Sequence, residues 1–259
     1  MTLGLEACRS GGPVVQQRYP QSTFVSREGE LDGKKFRYRV YITPDLKPGE
    51  RSPVMLYLHG AGNRGDDNES QLNGLADVIQ RNRERINFIV VVPQCPADRF
   101  WDEQMINHAV KAMDDVVTEF HGDSDRLYVA GFSLGGFGVW STAAMFPERF
   151  AAIVPMSGRV LPRLAEMKSV APMVAELARS KEPYKAFAER LGNIPIWIFH
   201  GSADRVVAPD NSRRIAEGLK AAGSTNVRYS EIPNAGHEPL GFNEPELFSW
   251  LAEQRLSKR

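Results

Sequence analysis

Three side chains in a fixed order carry the chemistry legible in this chain: Ser133, Asp204 and His237. Ser133 sits in Gly131-Phe132-Ser133-Leu134-Gly135, after the apolar run 127–130 and before the small-residue segment 137–146. Strand, G-x-S-x-G, helix is the context that a nucleophile elbow needs. Gly131 and Gly135 stand two residues either side of the serine, where a Cβ would collide with the neighbouring strand and helix. Glycine also accepts the strained φ/ψ of so sharp a turn. The serine hydroxyl is then exposed at the C-terminal end of a strand, beside helix N–H groups that favour negative charge. The plain alternative for the pentapeptide is a glycine-rich turn with a solvent serine. The rest of the chain must therefore supply a base, an acid and a second anion-stabilising donor.

A serine hydroxyl is a weak nucleophile until a base takes its proton. The chain has five histidines. His108 and His121 bound an amphipathic segment and are expected at the surface or as capping residues. His59 and His200 each end an apolar run before a glycine, which predicts a structural role within the loops. His237, in Asn234-Ala235-Gly236-His237-Glu238-Pro239, follows the last strand and precedes the last helix. That is the position expected of the base. The orienting acid belongs between nucleophile and base. Asp204, in His200-Gly201-Ser202-Ala203-Asp204, directly follows a strand end; Asp210 is the runner-up, and a loop aspartate is also a common turn residue. Two N–H donors should face the developing oxyanion. Leu134, after the nucleophile, supplies one; Ala61 in His59-Gly60-Ala61-Gly62 is the candidate for the other. Gln94, Trp101 and Arg159 are candidates to line the pocket. The Trp101 indole is expected either to stack on an aromatic or sugar ring or to sit in the core.

These residues need a scaffold that brings distant loops to one edge. Residues 54–58 and 88–92 are continuous apolar runs, as are 150–156 and 194–199, and such runs read as strands buried on both faces. Residues 105–120 carry a helical apolar stripe. Alternation in 36–42 marks a strand with one solvated face, and 23–27 with 35–42 reads as a hairpin turning through 28–33. Buried strands alternating with helices predict an α/β fold with a mostly parallel central sheet, an N-terminal antiparallel hairpin and helices on both faces. Sites on such sheets form at the C-terminal strand ends. The prolines and two helical stretches of 159–192 break the repeat and predict a helical insertion over that edge. Residues 1–22 read as a polar lead-in and 23–259 as one catalytic domain.

Composition narrows the partners. The 42% hydrophobic and 25% charged content is ordinary for a globular chain. With 32 basic and 32 acidic residues and no basic block, nothing points to nucleic acid or an anionic membrane surface. No apolar run approaches the roughly 20 residues of a membrane span. The two cysteines, Cys8 and Cys95, lack metal-ligand spacing, and the sequence offers no support for pairing them. The first fifteen residues have no apolar signal-peptide core, which gives the cytoplasm as default, or secretion if a leader has been removed. No metal or cofactor is expected, and no stretch marks an oligomer interface.

From about residue 23 to the end, the sequence resembles the α/β-hydrolase superfamily. It is most similar to the compact carboxylesterase branch that includes phospholipase/carboxylesterases, "predicted peptidases" and feruloyl and polyhydroxybutyrate-depolymerase-like esterases. The resemblance is carried by residues 56–67, 93–96, 131–136, 200–204 and 235–237. It implies Ser133, Asp204 and His237 as a catalytic triad and Ala61 and Leu134 as an oxyanion hole. The H-G-A-G loop departs from the H-G-G-G of many lipases, and 159–192 is longer than in the smallest members, so the pocket is not transferable. The expected activity is hydrolysis of a small or medium carboxylic ester, with acetyl or feruloyl groups on plant polysaccharide as candidates. A serine peptidase on the same fold is the nearest rival, and a non-catalytic binding protein the rival from another class.

Overall fold

The runs at 54–58 and 88–92 leave no polar face for solvent, and both are fully buried between two layers of helices. The computed structural model describes residues 24–43 and 49–259; the expected lead-in at 1–22, Cys8, and the first residue, 23, of the predicted hairpin lie outside them. The hairpin comprises β1 (Phe24–Leu31) and β2 (Lys34–Tyr41). Then follow β3 (Ser52–Leu58), α1 (Leu75–Arg81), β4 (Ile89–Pro93), α2 (Glu103–Glu119), β5 (Gly122–Phe132) and α3 (Leu134–Met145). The second half holds β6 (Ala152–Met156), α4 (Pro172–Arg179), α5 (Pro183–Leu191), β7 (Ile196–Gly201), α6 (Asp210–Ala221), β8 (Val227–Ile232) and α7 (Leu247–Glu253).

The strands form one sheet in the order β1-β2-β4-β3-β5-β6-β7-β8. Pairing is antiparallel for β1–β2 and β2–β4 and parallel elsewhere, as the sequence patterns predict. Successive β3 side chains enter opposite cores. Val54, Leu56 and Leu58 join the helical layer of α2 to α6, while Met55 and Tyr57 join that of α1 and α7. The elbow strand β5 thus lies in the middle of the sheet, flanked by β3 and β6.

Two expectations are corrected here. The hairpin turn is not 28–33 but Asp32-Gly33 alone, with φ of 51° and 73°. Positive φ at both loop residues is what a two-residue type I′ turn requires, and Asp-Gly is among its preferred pairs. Both strands therefore run on, pairing Glu28 with Arg37 and Glu30 with Lys35. His108 is neither exposed nor a cap. It faces the hairpin from α2, 7% exposed, with its ring stacked on Phe36 at 4.6 Å. Of the 159–192 stretch, Arg159, Arg163 and Glu166 reach a cleft that Ser133 also lines, whereas α4 and α5 bury Val174, Ala175, Phe187, Ala188 and Leu191 in the helical layer.

Candidate active site

Ser133 stands between the last residue of β5 and the first of α3, at φ 57° and ψ −114°. A non-glycine residue with this backbone is strained and must be held by its surroundings. The holding contacts are backbone to backbone. A Cβ on Gly131 would lie 2.5 Å from the Gly135 carbonyl oxygen and 2.8 Å from that of Leu58, and one on Gly135 would overlap the Leu58 carbonyl outright. Only glycine lets α3 start this close to β3. The Ser133 N–H donates to the Met156 carbonyl at 2.9 Å, which ties the elbow to β6.

The Ser133 hydroxyl reaches His237 Nε2 at 2.7 Å, and His237 Nδ1 reaches Asp204 Oδ2 at 2.7 Å. Asp204 lies in the loop after β7 and His237 in the loop after β8, and these loops are bound together. The Ala203 N–H donates to the Ala235 carbonyl at 2.9 Å, and the Asn234 N–H to the Ser202 hydroxyl at 2.9 Å. Gly201 permits this contact, because a Cβ there would strike the Ala235 and Gly236 carbonyls. The Phe132 ring lies 4.8 Å from the imidazole of His237. Asp204 is buried, and its Oδ1 accepts from the Val206 and Val207 N–H groups at 2.8 and 2.9 Å. Burial works to raise its pKa, but the hydrogen bonds from His237, Val207 and Val206 outweigh it and hold the carboxyl below its ordinary value. A carboxylate so held accepts the Nδ1–H and turns the Nε2 lone pair toward the serine proton. Asp210, the other acid considered, is the exposed first residue of α6.

A cleft of about 280 Å³ opens at Ser133, lined also by Ala61, Leu134, Phe100, Arg159 and Val207. Leu134 is the first residue of α3 and Ala61 the first of a short 3-10 helix, Ala61–Asn63. N–H groups at such positions have no acceptor within their own helix. Both candidate donors thus sit beside the serine in one cleft.

The other two pocket candidates are elsewhere. Gln94 and Trp101 line a separate cavity of about 490 Å³ between the hairpin and the start of α2. Gln94 is occupied with the 67–71 loop, accepting from the Asn68 N–H at 2.6 Å and donating to Asp67 Oδ1 at 2.7 Å. Trp101 is 1% exposed and its indole N–H donates to the His59 carbonyl at 3.0 Å. Its place is in the core, the second of the two alternatives read from the sequence. His59 is itself tied into the loops: Nδ1–H donates to the Gly60 carbonyl at 2.8 Å, and Nε2 accepts from the Cys95 N–H at 3.0 Å. Cys95 is a buried free thiol.

Sequence reasoning missed three features. His200 contacts Asp204, at 3.3 Å from Oδ2. Arg64, Arg99 and Arg163 line the cleft with Arg159, and no motif marks them as a group. Gly136 meets Gly158 face to face, since a Cβ on Gly136 would lie 2.8 Å from the Gly158 Cα.

Residues 97–253, more than half of the chain, match the sequence profile described as the prolyl oligopeptidase family. The chain belongs to the prolyl oligopeptidase family. The stretch of this family member that matches contains Ser133, Asp204 and His237, and begins after Ala61. An uncharacterized secreted protein of Arthroderma benhamiae is 25% identical over 253 residues, covering 91% of this chain and 26% of that protein. A bifunctional acetylxylan esterase/xylanase, XynS20E of Neocallimastix patriciarum, is 26% identical over 218 residues, covering 76% of this chain and 26% of that enzyme. The chain thus spans about a quarter of the length of these two relatives. Among solved structures, a thermostable esterase superposes with a TM-score of 0.72 at 28% identity, covering 90% of this chain and 63% of that one. The α/β-hydrolase fold expected from the sequence is what this prolyl oligopeptidase family member shares with that neighbour.

Proposed function

We propose that the protein is a serine carboxylesterase in which Ser133 is the nucleophile, His237 the general base and Asp204 the residue that orients it. The observation that carries this reading is the unbroken chain Ser133 Oγ, His237 Nε2, His237 Nδ1, Asp204 Oδ2, with both links at 2.7 Å. Ser133 Oγ attacks the ester carbonyl carbon while His237 Nε2 takes its proton. The oxyanion rests on the Ala61 and Leu134 N–H groups. As the tetrahedral intermediate collapses, the C–O bond to the alcohol breaks and His237 protonates the leaving oxygen. Water, deprotonated by His237, then cleaves the acyl-enzyme, giving the acid and restoring the serine.

The substrate class proposed is a small or medium carboxylic ester, with acetyl or feruloyl groups on plant polysaccharide foremost. The similarity to part of the Neocallimastix patriciarum acetylxylan esterase/xylanase supports the acetyl case. A second reading, a serine peptidase, has one observation in its favour: the family takes its name from oligopeptidases. Turnover of p-nitrophenyl esters from acetate to palmitate, methyl ferulate, acetylated xylan and a peptide p-nitroanilide tests both, each with wild type and Ser133→Ala. Ester cleavage that Ser133→Ala abolishes is the expected result. Cleavage of the anilide alone hands the site to the peptidase reading, and full activity of Ser133→Ala removes the serine from the mechanism.

A further inference from the structure

The wall of the Ser133 cleft is unusually rich in one side chain. Four arginines line it, Arg64, Arg99, Arg159 and Arg163, against Asp98 and Glu166. Two of the four guanidinium groups are matched by carboxylates. Arg99 is paired with Asp102 at 2.7 Å, and Arg159 makes two 3.0 Å bonds to Glu166 while its guanidinium lies over the Phe137 ring. Arg64 and Arg163 are not: among the described residues, neither has a carboxylate within ion-pair distance. Asp98, in the same wall, is in turn without a cation at that distance among the described residues, so two unmatched cations share the wall with one unmatched anion.

Arg64 is also the more rigidly placed. Its Nε donates to the Ala61 carbonyl at 3.0 Å and its Nη1 to the Arg99 carbonyl at 2.8 Å. Two backbone acceptors thus fix the plane of a charge that they do not neutralise. Among the described residues Nη2 has no acceptor. A guanidinium held this way has little rotamer freedom left to lose when a ligand binds, and its fork suits a carboxylate. Its bond to the Ala61 carbonyl seats it beside a candidate oxyanion donor, in the cleft that Ser133 also lines. Arg163 lines the same cleft from the segment before the short helix Leu164–Glu166.

We infer that the cleft selects esters that carry a carboxylate near the scissile bond, held by Arg64 and Arg163. This inference rests on the esterase reading of Ser133. The carboxylate can belong to the acyl part or to the alcohol part of the ester, and two pairs of substrates separate these cases. Monoethyl adipate is compared with its terminal amide for the acyl side, and acetoxyacetate with acetoxyacetamide for the alcohol side. Each member of a pair differs only by the charge and one hydrogen-bonding group.

In at least one pair, kcat/KM for the acid should exceed that for the amide by roughly tenfold at low ionic strength, the scale of one charge-assisted hydrogen bond. Added salt should shrink that ratio. Arg64→Gln and Arg163→Gln should each reduce it. The ratio is the quantity read, so a general loss of activity through disturbance of the Ala61 loop does not imitate the effect, and the exposed Arg163 offers a change that leaves the loop alone. Amides hydrolysed as fast as the acids in both pairs overturn the inference and leave the esterase reading intact. So does a preference for the acid that survives both substitutions together. No turnover of the four esters by enzyme that cleaves p-nitrophenyl acetate overturns this inference and leaves the esterase reading intact, whereas silence toward every ester, p-nitrophenyl acetate included, overturns both.

Discussion

His200 Nε2 lies 3.3 Å from Asp204 Oδ2, the same oxygen that accepts from His237 Nδ1. The Nε2–H of His200 donates to the Val207 carbonyl at 2.9 Å, and Nδ1 accepts from the Ser212 hydroxyl at 2.7 Å. The imidazole therefore binds the loop that carries Asp204 to the start of α6. Replacing it with leucine removes both bonds and leaves a buried hydroxyl unpaired. His200→Leu is expected to cost about 2–4 kcal/mol in a urea melt. It should also lower kcat for p-nitrophenyl acetate roughly tenfold with little change in KM. An unchanged kcat would show that Asp204 keeps its place without this support.

The stability of the fold should fall in mild acid, and His59 says where. Burial pushes its pKa from 6.5 down to about 4, with Gly60 opposing and Arg64 adding to the fall. The geometry agrees, because protonation would place a second N–H against that of Cys95. Between about pH 4 and 6.5 the unfolded chain binds a proton that the native state refuses. Stability complete above pH 6.5 is thus lost progressively down to about pH 4, by up to about 3 kcal/mol from this residue. Burial first of all lowers His108 and His200 as well, which adds slope in the same direction. Denaturant midpoints measured from pH 7.5 to 4 should show the decline, and His59→Gln should flatten it. A wild-type profile that is level across this range would contradict the assignment.

Gly135→Ala should be among the most damaging single-methyl additions in the chain. The new Cβ meets backbone on β3, which cannot swing aside as a side chain would. A loss of about 3 kcal/mol or more, or failure to fold, is expected. Gly236→Ala is the control. Its nearest neighbour is the Glu238 carboxylate at 3.9 Å, so thermal melts should agree with wild type within about 0.5 kcal/mol.

Trp101→Phe should act on stability and not on substrate choice. The substitution leaves the His59 carbonyl without the indole donor and loosens the packing against Gly138. A loss of about 1–3 kcal/mol is expected. The ratio of kcat/KM for methyl ferulate to that for a short alkyl ester should stay within about twofold of wild type. A selective collapse for the aromatic ester would restore Trp101 to the pocket.

The parts of this molecule most legible in its sequence are those where one residue type has a single physical reason to be present. Gly131 and Gly135 around Ser133 are of that kind, as are the buried runs that became β3 and β4. The hairpin turn was misplaced because Glu28 and Glu30 look like loop residues until their cross-strand partners Arg37 and Lys35 are known. His108 is not legible as buried, because a polar residue in the first turns of a helix gives no sign of the ring it stacks on, here Phe36 from a strand some seventy residues earlier. Gln94 and Trp101 follow strand β4 as pocket residues would, yet they face the hairpin side. Which side of a strand end a loop takes depends on its neighbours, and those are set by the whole sheet.

The serine and the histidine that meet at the elbow are 104 residues apart in the chain, and they do not share the same mechanical security. Ser133 hangs from β5, walled in on both edges by other strands. His237 hangs from β8, the last strand of the sheet, whose residues are only partly covered. Edges of this kind open at lower free energy than centres do. Activity should therefore vanish, as denaturant rises, before the far-ultraviolet circular dichroism of the sheet does, and the Val227–Ile232 amides should exchange with solvent sooner than those of Leu127–Ala130. The two rates measured side by side would turn a hydrolysis assay into a gauge of how firmly one border strand is fastened.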